Sequence, residues 1–439
     1  MTSGRLLSWG NFPPFPQAPS PCHWIHDLPA MLRDARSRSG TTLPFGSGLS
    51  YGDSCLAASD HVLALSNLDR FIEADWKEGL ITVEAGATLE QILALAIPRG
   101  WFLPVTPGTK YITVGGAIAN DVHGKNHHRS GTFGRHVKRF GLLRSDMPAM
   151  TCSAEENSRY FQATIGGLGL TGIIQWATIQ LVPIQSSSID CITQRFSCLS
   201  EFFQLSEELD HRHEFSVSWV DCLAKGKQLG RGVYMGGDFS PEGSLTVSTA
   251  RRFKVPATPP FSLVNHLTLP LFNHAYWRRA PVNRQTKHVD YDPFFYPLDS
   301  LLQWNRMYGR NGFQQYQALI PEVDAEGGIT VILNAIAESG MGSFLAVLKR
   351  CGDIPSPGLL SFPMPGTTIA LDFPNKEAVC QNLFPRLDAI VRDAGGRLYP
   401  AKDAHMSGED FRHSYPDWSR LESLRDPLLL SRFWQRVTQ

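Results

Sequence analysis

The sequence predicts an α+β protein of two domains, and three observations carry that expectation. Amphipathic helix patterns and alternating strand patterns take turns between His26 and Val105, whereas after Pro183 the chain becomes a series of aromatic-rich strand candidates separated by turns. At 439 residues, with 42% hydrophobic and 19% charged residues, it has an ordinary globular composition and the length for more than one core. The change near Pro183 places one domain at residues 1–185 and a second, built on a mainly antiparallel sheet, from 186 onward.

Lys plus Arg and Asp plus Glu both number 41. No net positive field speaks for nucleic acid, so an anionic ligand has to be met by local basic groups. The N-terminal MTSGRLLSWGNFPPFPQAPSP has only a two-leucine apolar patch before a proline-rich run, neither a secretion signal nor an anchor, and a cytoplasmic protein is expected. The eight cysteines show no C-x-x-C or metal spacing and read as reduced, mostly core thiols; no metal site is expected.

In chain order, LPAMLRDARSRSG from Leu28 reads as an amphipathic helix, HVLALS and GLITVEAG as strands, and TLEQILALAIPRG as a second helix with Thr88 at its N-cap and Gly100 near its end. Between the first helix and the first strand lies PFGSGLSYGD, Pro44 to Asp53. Its glycines let the backbone of Gly46, Ser47, Gly48, Leu49, Ser50, Tyr51 and Gly52 converge on a phosphate, and no Lys-Ser or Lys-Thr follows to make a nucleotide P-loop. This is the pattern of a pyrophosphate loop.

Pro104 to Val137, PVTPGTKYITVGGAIANDVHGKNHHRSGTFGRHV, is poor core material. Its small residues (Pro107, Gly108, Thr113, Gly115, Gly116, Ala119) and the polar run Asn120, His123, Gly124, Lys125, Asn126, His127 and His128 suit a backbone lying against a flat or charged ligand. Three readings stand at this level: a cofactor-cradling loop, metal ligation by His123 and His127 on one helical face, and a polar loop whose histidines cap neighbouring backbone. Gly124 and Asn126 work against the helix that the metal reading needs, and no acidic residue sits at a ligand spacing.

SAEENSRYFQATI, from Ser153, reads as a capped helix feeding a third glycine loop, TIGGLGLTGIIQWATIQLVP. Gly167, Gly169 and Gly172 satisfy G-x-G-x-x-G, with Asp190 near the place of a ribose-binding acid. The run from Ile173 onward is β-branched and alternating where a dinucleotide-binding βαβ unit needs a helix, and that unit is ruled out.

In the second domain SSSIDCITQRFS, FSVSWVDCLA, GRGVYMGGDF and HVDYDPFFYPL are strand candidates. FQQYQALIP puts Gln315 and Gln317 on one strand face, where amides either read hydroxyls or meet solvent. Arg251 to Arg279, RRFKVPATPPFSLVNHLTLPLFNHAYWRR, is apolar, broken by prolines and flanked by arginines. Too short and interrupted to span a bilayer, it suits the interface between lipid tails and anionic head groups, or a loop over the active site. AGGRLYPAKDAHMSGE, from Ala394, returns to loop chemistry around Lys402.

PFGSGLSYGD, TPGTKYITVGGAIANDVHGKNHH and TIGGLGLTGII, in this order, resemble the FAD-binding half of the vanillyl-alcohol oxidase superfamily. More narrowly, HGKNHHRSGTFGRHV, FQQYQALIP, SFPMPG followed by LDFP, and GGRLYPAKD resemble the decaprenylphosphoryl-ribose 2'-oxidases, from about Trp9 to beyond Lys402. The resemblance implies the superfamily's two-domain fold, with an FAD-binding domain at 1–185, a substrate domain at 186–395 and a return of the chain to the FAD-binding domain at 396–439. It implies FAD cradled by the three loops, the backbone of Gly167 to Ile173 lying on the adenine and ribose side. Lys402 would face the N1 and C2-carbonyl edge of the flavin, and Trp219, Tyr296, Phe313, Gln315, Tyr316, Gln317 and Lys349 would line a sugar pocket.

The implied activity is FAD-dependent oxidation of the 2'-hydroxyl of a polyprenylphosphoryl-ribose to a ketone, peripheral to the inner face of the plasma membrane. A separate short-chain NAD(P)H-dependent reductase would complete an epimerisation. Such chemistry needs a base for the hydroxyl proton, for which His123 and Tyr51 are candidates and a neutral imidazole the better one near pH 7. Lys402 would offset the charge arriving on the reduced ring, and Lys125 and Lys349 would meet the phosphate. Two departures matter. Covalent members of the superfamily have a histidine where this chain has Leu49, so FAD is expected without a covalent bond. Relatives in the narrower group carry a cysteine at the place of Ala370, which leaves the sugar preference open. An oxidase of free alditols or aldonolactones, and a flavin-bound scaffold without turnover, are the alternatives.

Overall fold

The computed structural model describes residues 6–249, 251–265 and 267–439; the first five residues of the expected 1–185 domain, and His266 within Arg251 to Arg279, lie outside the described residues. Among these, three larger sheets carry the chain. A parallel one runs Ala18–Pro21, His61–Ala64, Leu43–Phe45, and an antiparallel one runs Phe71–Asp75, Leu80–Glu84, Ile173–Gln180, Val137–Leu143, Met150–Ser153. The β-branched stretch after the third glycine loop is the middle strand of the second sheet, paired on both sides, which is why no helix forms after Gly172.

The helix Leu89–Ala96 buries Leu89, Ile92, Leu93 and Ala96 in the core shared with that sheet. Thr88 closes its N-terminus with a reciprocal box: its hydroxyl accepts from Gln91 N, and the Gln91 side chain accepts from Thr88 N. Gly100, with φ +79°, ends the short turn Ile97–Arg99 in the left-handed conformation that glycine adopts without strain.

The third sheet has eight strands, all antiparallel: Gln285–Asp290, Ser188–Phe196, Gly232–Phe239, Phe215–Val220, Ala346–Cys351, Gly366–Pro374, Phe313–Pro321 and Arg397–Leu398. Helices Leu199–Leu209, Ala325–Ser339 and Phe384–Asp393 share its core. Phe313–Pro321 is buried along both faces, because Tyr316 and Ala318 turn to this core while Gln315 and Gln317 turn the other way. After Leu398 the chain returns to its beginning. Arg436 bridges Asp53 and Asp403, Arg432 pairs with Asp60, and Leu430 exchanges backbone hydrogen bonds with Thr42 and Ala58. Since Arg397–Leu398 still pair with the large sheet, the chain leaves it after Leu398 and not at residue 395.

Two elements differ from the sequence reading. The helix expected from Ser153 starts at Ser158 (Ser158–Thr164), because the Ser153 hydroxyl accepts from the backbone N–H groups of Glu155 and Glu156 and closes a turn instead of capping a helix. HVDYDPFFYPL is a strand only to Asp290. There the carboxylate accepts from Asp292 N and starts the short helix Tyr291–Phe295, whose aromatic rings fill the core beside Phe102, Phe215 and Phe239.

Candidate active site

A cavity of about 800 Å³ runs between the three glycine loops and the large sheet. Its first end is mostly backbone. Gly46, Ser47, Gly48, Leu49, Ser50 and Tyr51 line it where the strand Leu43–Phe45 stops. Gly48 has φ +67°, and a Cβ on Gly46 would lie 2.5 Å from Thr113 Oγ1, so both positions require glycine. Ser47 Oγ donates to the Tyr111 carbonyl (2.7 Å), tying the first loop to the second.

In that second loop Pro107, Gly108, Thr113, Gly115, Gly116, Ala119 and Asn120 face the cavity. Thr113 accepts from Gly116 N (3.1 Å) and starts the helix Val114–Ala119, and a Cβ on Gly115 would lie 3.1 Å from Ala85 Cβ and from its carbonyl oxygen. The third loop adds Gly169 and Gly172. No acidic side chain from the three loops lines the wall, and in the first loop the N–H groups of Ser47, Gly48 and Leu49 donate to nothing among the described residues, which leaves them for an anion. These residues fit a dinucleotide with a pyrophosphate, and Leu49 offers no nucleophile for a covalent bond.

The other end is built of side chains. Gln315 and Gln317 project from Phe313–Pro321, in register with Asp372 and Ala370 of Gly366–Pro374; Thr368 and Ala370 line the cavity, as does Lys349 from Ala346–Cys351. His123, Gly124 and Lys125 come from the second loop, Tyr399 and Lys402 from the C-terminal return. Gln317 Nε2 lies 3.3 Å from His123 Nε2. An amide nitrogen only donates, so that imidazole nitrogen is the acceptor and the ring is neutral. Lys349 Nζ donates to the Gly124 carbonyl (2.7 Å), and Lys402 Nζ sits 3.6 Å from the centre of the Tyr51 ring.

Charge at this end is unbalanced. Lys110 pairs with Asp292, but Lys125, Lys349 and Lys402 have no ion pair among the described residues. Burial pushes Lys349 down to about 8, burial and the Lys349 charge push Lys125 to about 8, and burial takes Lys402 to about 7 against the pull of Asp372. His123 lies well below the usual imidazole range through burial first, then Lys349, His127 and Lys402. The Tyr51 hydroxyl is raised well above its usual value by burial and by Asp372.

The Tyr51 hydroxyl is therefore held in its protonated, donating form near neutrality. Several other expected site residues do not face the cavity. A Cβ on Gly52 would overlap the Asp403 carbonyl, so this glycine seats the C-terminal return against the first loop. Gly167 fits closely under the Ala163 carbonyl at the end of Ser158–Thr164, and Ile173 packs with Leu63 and Leu143. Asn126 Nδ2 holds Pro104 O (2.8 Å) and Glu214 Oε1 (3.3 Å), bracing the second loop from behind. His127 is buried outside the cavity, with neither ring nitrogen bonded among the described residues. Trp219 donates to Phe344 O (2.9 Å) and lies against Tyr276. The Tyr296 hydroxyl bonds Thr106 Oγ1 (2.6 Å), one layer behind the wall that Thr106 lines. Phe313 is packed on Tyr308, and Tyr316 turns to the far face, donating to Asp388 (3.0 Å).

Sequence reasoning passed over Thr106, Thr368, Tyr399 and Asp372. Strand alternation from Ala370 in GTTIALDFP would have put Thr368 and Asp372 on its face. Tyr399, two residues from the return loop's Ala401, donates to Asn120 O (2.9 Å) and joins the return to the second loop.

Comparison with known proteins agrees with this geometry. A family described as an FAD binding domain matches residues 22–147. The chain is 33% identical to decaprenylphosphoryl-β-D-ribose oxidase of Mycolicibacterium smegmatis over 97% of this chain and 95% of that protein. It is 33% identical to an uncharacterised protein of Streptomyces coelicolor over 77% of this chain and 96% of that one. Likeness to the Δ24-sterol reductase of Homo sapiens is 32%, over 28% of this chain and 24% of the other. The cofactor is FAD, the fold is that of the vanillyl-alcohol oxidases, and the chain, an FAD-dependent oxidoreductase acting on CH–OH groups, belongs to the decaprenylphosphoryl-β-D-ribose oxidase family.

Proposed function

We propose that this enzyme oxidises the 2'-hydroxyl of a ribose carried on a polyprenyl phosphate to the ketone. The observation that carries the reading is the unpaired charge at the sheet end of the cavity, where Lys125 and Lys349 line the wall without a carboxylate partner among the described residues. Buried ammonium groups are costly until an anion enters, and each charge-assisted bond to a phosphate oxygen is worth about 1.5–3 kcal/mol. Gln315 and Gln317, on the same face, supply the amides that a sugar's hydroxyls need.

When bound, FAD supplies the acceptor for the hydride leaving the carbinol carbon. His123 takes the hydroxyl proton at Nε2. Its 3.3 Å contact with Gln317 is long for a hydrogen bond and yields to a hydroxyl donor. Lys349 repels the imidazolium, and a phosphate seated on Lys349 removes that repulsion, so the base strengthens once substrate is in place. Lys402 and the Tyr51 hydroxyl hold positive charge and a donor where negative charge arrives. A ketone left on the carrier is open to hydride return from the opposite face, the task of a separate short-chain NAD(P)H-dependent reductase.

Arg251 to Arg279 meets the lipid. It has five Arg and Lys residues and no Asp or Glu. Phe253, Phe261, Leu267 and Leu271 are 67%, 67%, 66% and 75% exposed, and Phe253–Lys254 pairs with Leu301–Leu302 at the rim, where Lys254, Leu301 and Leu302 line the cavity. In this reading the contact is peripheral, made by these exposed side chains on the inner face of the plasma membrane; no helix of the described residues is long and apolar enough to cross a membrane.

The test is anaerobic mixing of the flavin-loaded protein with prenylphosphoryl-ribose and, separately, with free alditols, following the flavin's visible band. Bleaching by the lipid-linked sugar alone supports the proposal. Bleaching by alditols alone moves the enzyme to soluble sugar oxidation, and bleaching by neither leaves a different sugar or a scaffold.

A further inference from the structure

The proposed oxidation leaves Asp372 unused. Its side chain is fully buried on Gly366–Pro374, directly opposite Gln315 in the register. Oδ1 accepts from Gln315 Nε2 at 2.6 Å, and Oδ2 has no partner among the described residues. The groups that face it come from four elements: Gln315 on the neighbouring strand, Lys402 on the C-terminal return, Tyr51 on the first glycine loop and Tyr308 on the turn Trp304–Tyr308. A buried carboxylate held by one hydrogen bond is an expensive way to anchor an amide, since a neutral Asn would reach the same nitrogen.

The charge adds direction. An ionised carboxylate only accepts, so it admits a single orientation of the Gln315 amide, NH2 toward Asp372 and carbonyl toward the cavity. A protonated carboxyl, or an amide, both donates and accepts, and admits either orientation. We propose that Asp372 is a positioning residue that fixes the Gln315 carbonyl toward the cavity, so that this point of the site accepts from a sugar hydroxyl. The inference rests on the reading of Gln315 as a hydroxyl contact. That oxygen has two lone pairs and can accept from a sugar hydroxyl.

Burial holds the Asp372 carboxyl up at about 7, against the lowering effects of Gln315 and Lys402. The carboxylate, and with it the fixed orientation, is present above that pH and lost as the pH falls through it.

The experiment uses FAD-loaded enzyme labelled with 15N-glutamine, the Gln315 pair being assigned by its loss in Gln315→Leu. In the unsubstituted enzyme the pair should be shifted and slow to exchange at about pH 8.5 and become ordinary by about pH 5.5; in Asp372→Asn it should not titrate. At the higher pH the enzyme should bind prenylphosphoryl-ribose about three- to tenfold more tightly than one of its 3-deoxy and 5-deoxy analogues, both of which keep the 2'-hydroxyl that His123 meets. Asp372→Asn should lose that preference with flavin content unchanged, and Asp372→Asn with Gln315→Glu, a permanent acceptor, should regain it. A Gln315 pair that does not titrate in the unsubstituted enzyme overturns the proposal, as does an Asp372→Asn variant that keeps the preference. If that variant does not fold, the titration decides alone. Failure to bind either lipid would overturn the substrate reading, while the amide titration would still judge Asp372.

Discussion

The two ends of the cavity offer a ligand opposite kinds of surface. The loop end presents backbone from three contiguous glycine stretches, so its chemistry depends on side chains being absent. The sheet end presents Gln315, Gln317, Lys349 and Thr368 from three strands, with His123 and Lys402 brought from distant loops, so its chemistry depends on register. A change at the first end should act on whether FAD is held. A change at the second should spare FAD and act on turnover or substrate affinity.

The largest expected effect belongs to the loop end. Gly46→Val places side-chain atoms against Thr113 Oγ1, where even a Cβ would lie at 2.5 Å, and both belong to loops that the cofactor needs together. The protein should elute from gel filtration colourless and inactive. A yellow Gly46→Val protein would mean that the first two loops separate freely, and the contrast between the ends would weaken.

Lys402→Ala comes next and should do the opposite, keeping the flavin but lowering its reduction rate by about 10²–10³-fold, the usual cost of removing one charge-stabilising donor. Because burial takes the ammonium down to about 7, the unsubstituted enzyme should reduce its flavin more slowly as pH rises through that region. Stopped-flow absorbance across pH checks both; a flat profile would remove Lys402 from the role. Lys349→Ala should also keep the flavin. One lost charge-assisted bond predicts a KM about 10–150-fold higher for the lipid-linked sugar, with a smaller change in kcat, measured by steady-state kinetics.

The same contrast explains which parts of the molecule were legible in its sequence. A glycine loop is local, so PFGSGLSYGD and the paired glycines at 115 and 116 could be assigned from a few consecutive residues. Gln315 and Gln317 were legible for a related reason, the two-residue period of a strand. Trp219 and Tyr296 were not, because an aromatic residue gives no sign in the sequence of whether it faces a cavity or a core, and both hold other structure in place. Asp372 was missed because its meaning lies in a partner 57 positions away. Ser153 misled locally: a serine followed three residues later by glutamate closes either a helix or a turn, and here the turn won.

At the rim the comparison extends to the lipid. Leu271→Glu and Phe261→Glu each replace an exposed apolar side chain that would otherwise enter the bilayer interface. Burying such a side chain is worth about 1.5–3 kcal/mol. Each substitution should weaken sedimentation with anionic vesicles roughly tenfold or more while leaving flavin reduction by a short-chain substrate unchanged. Unchanged sedimentation would assign the stretch to covering the cavity alone.

The smallest effect on turnover, and the sharpest marker of the boundary between the ends, is expected from Ala370→Cys. Ala370 lies on the cavity wall opposite Gln317, one strand from Lys349. A thiol adds one atom to an existing cavity and breaks no hydrogen bond, so kcat/KM should change by less than about threefold. Reactivity should change far more. Cys55, the natural cysteine on the wall, has its thiol pushed up to about 12 by burial and by Asp53, and should ignore an electrophile near neutral pH. A cysteine at 370 would sit in a wall that carries unpaired ammonium groups, which favour the thiolate. Intact-mass measurement after treatment with a maleimide should give one more adduct on Ala370→Cys than on the unsubstituted protein, and prenylphosphoryl-ribose should protect against it. Labelling that the lipid-linked sugar does not slow would place the substrate away from this strand, and would separate the sheet end from the reaction assigned to it.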